Sequence, residues 1–249
     1  GISAALQRFT NALQEVANTP TSTAARQVLL SEAQGLTTRL KSYESRLNTM
    51  DAQINEQLRA EASSVNGLAS NIAKLNQEIM RASSQTGSAP ADLLDARDQQ
   101  LAQLAARLDT SIVRQDNGAV NVFVGNGQPL VLGNNAAELV AQPDQFQPGR
   151  ITLAFRTSSG TVDVASSLSG GSIGGLLDAR RELIDPARNE LGRLAVGLTE
   201  AANAQHRRGV DLKGDAGGDF FAVGGVEVLG ARGNDGDAML AVTRTGAGA

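Results

Sequence analysis

The sequence predicts an α+β protein: a long antiparallel helical bundle with a β-hairpin insertion and the start of a second β-rich domain. Three observations predict it. An apolar residue recurs every three or four positions from Leu29 to Ile79, with no proline between. Two Asn-Gly pairs, Asn117-Gly118 and Asn126-Gly127, separate β-rich runs in TSIVRQDNGAVNVFVGNGQPLVLG. Helical periodicity then resumes after SGGSIGG and stops near Gly209. The domains read as residues 1–110 plus 172–215 for the bundle core, 111–171 for the β-rich insertion, and 216–249 for the start of the second β-rich domain.

Taken in order, SAALQRFTNALQEVANTP sets Leu6, Phe9, Leu13 and Val16 on one helical face, stopped by Asn18 and Pro20. Ser22 or Thr21 caps the next helix. Its stripe runs through Leu29, Ala33, Leu36, Leu40, Tyr43, Leu47, Met50, Ile54 and Leu58, then Ala62, Val65, Ala69, Ile72, Leu75 and Ile79. One stutter falls near Leu58. Such a helix is roughly 60 residues and ~90 Å long. SSQTGSAP ends it, and a third helix starts at Pro90 with Leu94, Leu101, Leu104 and Leu108 as its stripe.

A three-stranded meander follows, because Asn-Gly takes the positive φ angles of tight turns. Residues 134–149 read as loop. ITLAFRT and TVDVASS form another hairpin across Ser158–Gly160. The last helix carries Leu177, Ile184, Ala187, Leu191, Leu194, Leu198 and Ala201, with a kink at Pro186 and a positive-φ cap at Gly209. Beyond it, VEVL and MLAVTR read as short strands.

Composition narrows the function. Aromatic residues are 3% of the 249, with one tyrosine and no tryptophan, so the core is built from small aliphatic contacts. A net charge of −4 argues against a nucleic-acid binder. The lack of cysteine excludes disulfides, thiolate metal sites and cysteine nucleophiles without fixing a compartment. No apolar run approaches the ~20 residues that span a bilayer, and GISAALQRF has no signal-peptide character. It starts inside a helical pattern, which predicts an excised fragment.

Candidate chemistry is thin. His206, the single histidine, has no second ligand or nucleophile beside it and reads as a helix-terminal side chain facing the last carbonyls. Asp211, Asp215 and Asp219 invite a calcium loop but lack the closing glutamate of an EF-hand. The glycines of VGNGQPLVLG have no Gly-Lys-Ser/Thr after them, so they make no phosphate cradle. LLDAR occurs twice, at Leu93–Arg97 and Leu176–Arg180. Asp95 and Asp178 read as acids near two helix starts, not as a catalytic pair. No catalytic, cofactor-binding or metal-ligating residue is predicted, no cofactor is expected, and the partner-binding residues are left unassigned.

Four stretches together resemble the hook-associated protein 1 family, which joins hook to filament in the bacterial flagellum. They are LQRFTNALQEVANTPTSTAARQVLLSEAQGLTTRL; ASNIAKLNQEI with PADLLDARDQQLAQLA; NGAVNVFVGNGQPLVLG; and GSIGGLLDARRELIDPARNELGRLAVGLTEAANAQHRRGVDLKGDAGGDFF. The last is similar to the family's Gly-Gly-Leu, Asn-x-x-His and Gly-x-Asp-x-x-Gly-x-x-Gly pattern followed by Phe. Here those positions are Gly174, Gly175, Asn203, His206, Gly209, Asp211, Gly214, Gly217 and Phe220.

The resemblance covers roughly residues 1–225 and implies a flagellin-like core with a structural, non-enzymatic role. It implies self-association in an axial ring, contact with hook protein and the next hook-filament junction protein, and an export chaperone for the full-length protein. No nucleic acid or membrane partner is implied. The location implied is extracellular, on the flagellum, after export without a cleaved signal peptide. The family's N-terminal segment and C-terminal axial helix are not matched. The alternative from another class is a coiled-coil stalk of a signalling or adhesin protein, which has no need of the β insertion.

Overall fold

The computed structural model describes residues 1–157, 160–211 and 214–222, with Thr86, 226–229 and 239–242 described by their backbone alone. The chain forms two compact units, Gly1–Met50 with Ile184–Ala249, and Asp51–Leu183. One helix contributes to both.

In the first unit, α1 (Ile2–Asn18) stops where predicted and lies on the start of α2 (Thr23–Thr86). Ser22 is the cap: its Oγ accepts the Ala25 N–H at 3.2 Å. Ala5, Phe9 and Ala12 of α1 meet Leu29, Ala33 and Leu36 of α2, with Leu40, Leu198, Phe220 and Phe221 packed around them. The predicted stripe does not stay buried. Tyr43 is 37% exposed and Met50 51% exposed, and the Arg46 guanidinium lies 5.9 Å over the Tyr43 ring. Periodicity marks the face that can be buried, not how far a neighbour extends. The 17 residues of α1 span only about 25 Å.

In the second unit the stripe is covered except at Leu75, which is half-buried. Ile54, Leu58, Ala62, Val65, Ala69, Ile72 and Ile79 are all buried, as are Leu101 and Leu104 of α3 (Ala91–Ala105) and Leu108 just past it. Four antiparallel strands make the first sheet in sequence order: β1 (Thr110–Arg114), β2 (Val120–Val124), β3 (Gln128–Leu132) and β4 (Asn135–Ala136). Alternate residues Val120, Val122 and Val124 face the core, as the period of two requires. Among described residues only glycines have positive φ, at Gly118, Gly125 and Gly127 in these loops, so the asparagines do not form the tight two-residue turn expected.

The predicted 134–149 loop is corrected. Besides β4 it contains β5 (Glu138–Pro143), which pairs in full with β6 (Ile151–Thr157), itself paired with β7 (Gly160–Asp163). Residues 158–159 of that last turn lie outside the described residues.

After β7 the chain enters α4 (Gly171–Ala179), whose first amides cap the end of α3. Ser172 N–H donates to Ala106 O at 3.1 Å and Ile173 N–H to Arg107 O at 2.9 Å, while Asp109 N–H donates to Ser169 O at 2.8 Å. Two sets of otherwise orphaned helix-end groups satisfy each other. The approach needs glycine: a Cβ on Gly171, where φ is +55, would lie 2.3 Å from Arg107 C.

Pro186 produces no simple kink. A π-turn (Arg180–Ile184) precedes α5 (Asp185–His206) and places Pro186 in the opening turn of α5. Gly209 does not cap α5 with a positive φ either. Its N–H donates to His206 O at 3.1 Å and its carbonyl accepts the Gly217 N–H at 2.9 Å.

The two short runs near the end pair as an antiparallel hairpin, β8 (Val226–Leu229) with β9 (Met239–Val242). The rest of 223–249 lies outside the described residues.

Gly171→Ala should lower the urea midpoint followed by far-UV circular dichroism, by the equivalent of about 2 kcal/mol or more. Gly175→Ala, one turn on with nothing within 4 Å of a Cβ, should raise it by up to ~1 kcal/mol through helix propensity.

Candidate functional site

The repeated pentapeptide locates the polar centre of the second unit, though not as two helix starts. The first LLDAR lies near the start of α3, but the second lies at the end of α4, which begins at Gly171. In both copies the aspartate is exposed and the arginine is buried. Asp178 is an i,i+3 partner of Arg181 at 2.7 Å. The arginines are what the copies share.

Arg97 is 2% exposed. One guanidinium nitrogen donates to Gly118 O at 2.7 Å and reaches Asn76 Oδ1 at 3.4 Å. Asn76, fully buried on α2, closes on the first sheet. Its Oδ1 accepts the Val120 N–H at 3.0 Å, and its Nδ2 donates to Val120 O at 2.8 Å and Gly133 O at 2.6 Å. Burial holds the Arg97 guanidinium below its ordinary pKa; nearby Asp98 opposes that shift and Arg114 adds to it.

Arg180 repeats the arrangement on the second sheet. It donates to Ile151 O at 2.9 Å and to Asn55 Oδ1 at 2.8 Å. Asn55 Oδ1 also accepts the Ile151 N–H at 3.0 Å, and its Nδ2 donates to Gly149 O at 2.8 Å. One turn before Asn55, the buried Asp51 carboxylate meets Arg180 Nε at 2.8 Å and Arg150 Nε at 2.6 Å. Arg150 also donates to Gln147.

Between these centres, Asn66 accepts the Leu139 N–H and donates to Leu139 O, both at 2.8 Å. Asn55, Asn66 and Asn76 thus stand about three helical turns apart on α2, each gripping the start of a strand. Sequence reasoning missed all three. Their signal was available: asparagine is a poor helix former, yet it recurs here beside the buried stripe.

In the first unit Asn203 does the same work. Its Oδ1 accepts the Phe220 and Phe221 N–H groups, and its Nδ2 donates to Phe221 O, all at 2.8 Å. This seats both rings on Phe9, with centroids 6.2 and 5.6 Å away. His206 Nδ1 donates to Gly218 O at 2.7 Å, and its ring stands 5.5 Å from Phe220. A Cβ on Gly217 would lie 2.1 Å from His206 O. The family-like positions Asn203, His206, Gly209, Gly217 and Phe220 are therefore brought together as a folded-back strap.

The aspartates of the calcium reading are held otherwise. Asp211 Oδ1 accepts the Asp215 N–H at 2.9 Å, and Asp219 pairs with Arg207 at 2.6 Å. Residues 212–213 of that stretch lie outside the described residues. Among the described residues no group of three or more His, Asp or Glu could hold a metal, and no helix is long and apolar enough to cross a membrane. Chemically, the arrangement joins backbone to backbone.

The chain is similar to known proteins over most of its length. Residues 1–221 match the family described as the flagellar hook-associated protein FlgK helical domain. The chain is 37% identical to flagellar hook-associated protein 1 of Escherichia coli (strain K12) over 98% of its own length and 45% of that protein's. With the Bacillus subtilis (strain 168) protein of the same name it shares 26% identity over 97% of its length and 52% of the relative's. The chain thus spans about half the length of these relatives. A solved structure, that of the flagellar hook junction protein FlgK from Burkholderia pseudomallei, superposes with a TM-score of 0.84 at 35% identity, covering 92% of this chain and 42% of that one.

If the arginines carry the role of the pentapeptides, Arg97→Ala and Arg180→Ala should each cost about 2–4 kcal/mol by leaving buried acceptors unmet. Asp95→Ala and Asp178→Ala should stay within about 0.5 kcal/mol of the parent. Denaturant titration of the four variants separates the outcomes; equal losses for Asp and Arg variants would contradict the assignment.

Proposed function

We propose, from the premise that this chain belongs to the flagellar hook-associated protein FlgK helical-domain family, that it is a structural part of the bacterial flagellum joining the hook to the filament. The observation that carries this reading is the likeness to a flagellar hook junction protein across nearly the whole chain. In this role the protein catalyses nothing. Copies associate in a short axial ring, with hook protein on one side and the next junction protein on the other. The full-length protein is exported through the flagellar secretion system, without a cleaved signal peptide, after recognition by an export chaperone, and it works outside the cell.

The domain division belongs to the same proposal: residues 1–110 with 172–215 as bundle core, 111–171 as β-rich insertion, and 216–249 as the start of a second β-rich domain. Such a part must transmit load without yielding. Side-chain amides that fasten strands to a helix at several separate points suit that requirement, since each buried bond is costly to leave unmade.

Antibodies raised against this chain, applied with immunogold to purified hook–filament structures of the source bacterium, test the reading. Gold should be confined to the hook–filament boundary. Label along whole filaments would replace the junction role with a filament role, and label on no appendage would favour the stalk.

A further inference from the structure

We infer that Asn126 is a spontaneous deamidation site of this chain, and that folding shields its two other Asn-Gly pairs. The chemistry needs no enzyme or oxidant. The backbone nitrogen of the residue after asparagine attacks the side-chain carbonyl carbon. A new C–N bond closes a five-membered imide, and the amide nitrogen leaves as ammonia. Water then adds to either imide carbonyl, giving aspartate or isoaspartate. Glycine in the following position favours the attack because no Cβ obstructs it. The remaining requirement is conformational: the asparagine side chain must be free to swing over the next peptide nitrogen.

The three pairs, Asn66-Gly67, Asn117-Gly118 and Asn126-Gly127, differ in that freedom. Asn66 lies inside α2 with both amide atoms bonded to Leu139, so it cannot turn toward Gly67 without losing two hydrogen bonds and local helix. Asn117 sits in the β1–β2 loop, where its Oδ1 accepts the Ala119 N–H at 3.0 Å. Its neighbour Gly118 is fixed on three sides. The Gly118 N–H donates to Gln115 O at 3.0 Å, its carbonyl accepts from Arg97, and a Cβ there would touch Ile79 Cγ2 at 3.2 Å.

Asn126 keeps only one restraint of this kind. It is exposed at the tip of the β2–β3 loop, and Gly127 has nothing within 4 Å of its Cβ position. Only a 3.2 Å turn bond, Gly127 N–H to Val124 O, holds the attacking nitrogen.

Isoaspartate at 126 would insert one carbon into the main chain beside the Val124↔Gln128 and Phe123↔Pro129 pairs. Either product adds one negative charge to a chain that carries −4. Of the three Asn-Gly pairs, the one in the β2–β3 hairpin is therefore the first to age in the folded protein.

The test incubates the native chain and a guanidinium-unfolded sample in ¹⁸O-water at mildly alkaline pH, followed by peptide mapping. Chymotrypsin cuts after Phe123 and so separates position 117 from position 126. In the native sample Asn126 should convert at least about tenfold faster than Asn66, which reacts only from locally opened chain, and faster than Asn117. In the unfolded sample the three rates should converge. Native Asn66 or Asn117 matching Asn126, or an Asn126 that stays unlabelled in either sample, would overturn the assignment.

Discussion

Strand backbones in the second unit end on side-chain amides of a single helix, and the rest of that unit depends on this. A strand that starts against a helix presents an N–H and a C=O that its own sheet does not satisfy, and a buried unpaired backbone group costs about as much as a lost hydrogen bond. Asparagine offers one acceptor and two donors on a short stem, which matches the strand's own pair. Asn66 and Asn76 make this match at Leu139 and Val120, and Asn55 takes the Ile151 N–H together with the Gly149 carbonyl. The sheets are thereby held in one register relative to α2, which apolar contact, being non-directional, would not specify alone.

The buried arginines complete the outer two of these clamps. Each LLDAR places a guanidinium where it meets an asparagine oxygen and a carbonyl at a strand's threshold. Five donors in a rigid fork suit that task, which a single ammonium would meet less well. At the second clamp two arginines share one aspartate, Asp51, so carbonyl and amide oxygens supply the remaining compensation. That duplication explains why an identical pentapeptide serves at the start of one helix and at the end of another.

Much of this fold was legible beforehand. The extents of α1, α2 and α3, the Ser22 cap, and the hairpins of 110–132 and 151–163 follow from periodicity and turn chemistry, because those signals are local. What was not legible is long-range. Residues 134–149 carry no alternating pattern, and β5 is held by its pairing with β6 and by Asn66, which takes both backbone groups of Leu139 across 73 positions of sequence. Likewise Arg97 and Arg180 look like surface charges in a one-dimensional reading, since their partners lie in strands that the pentapeptide does not mention. Tyr43 and Met50 erred the other way: they fit the stripe, but periodicity is silent on where a covering helix stops. At the strap, the resemblance picked out Asn203, His206, Gly217 and Phe220 together; only the geometry showed why, with a carbonyl pressed where a Cβ would be.

The exposed Tyr43 has an optical consequence. It is the only phenol, there is no indole, and its ring already faces water beside Arg46. At 37% exposure its surroundings change less on unfolding than those of a buried ring, so intrinsic emission is a weak reporter of the transition. The buried rings that do change surroundings are phenylalanines, the weakest chromophores of the three. Helix content still reports unfolding, but a strong emission signal for the first unit has to be introduced, for instance in place of Phe221 beside Phe9.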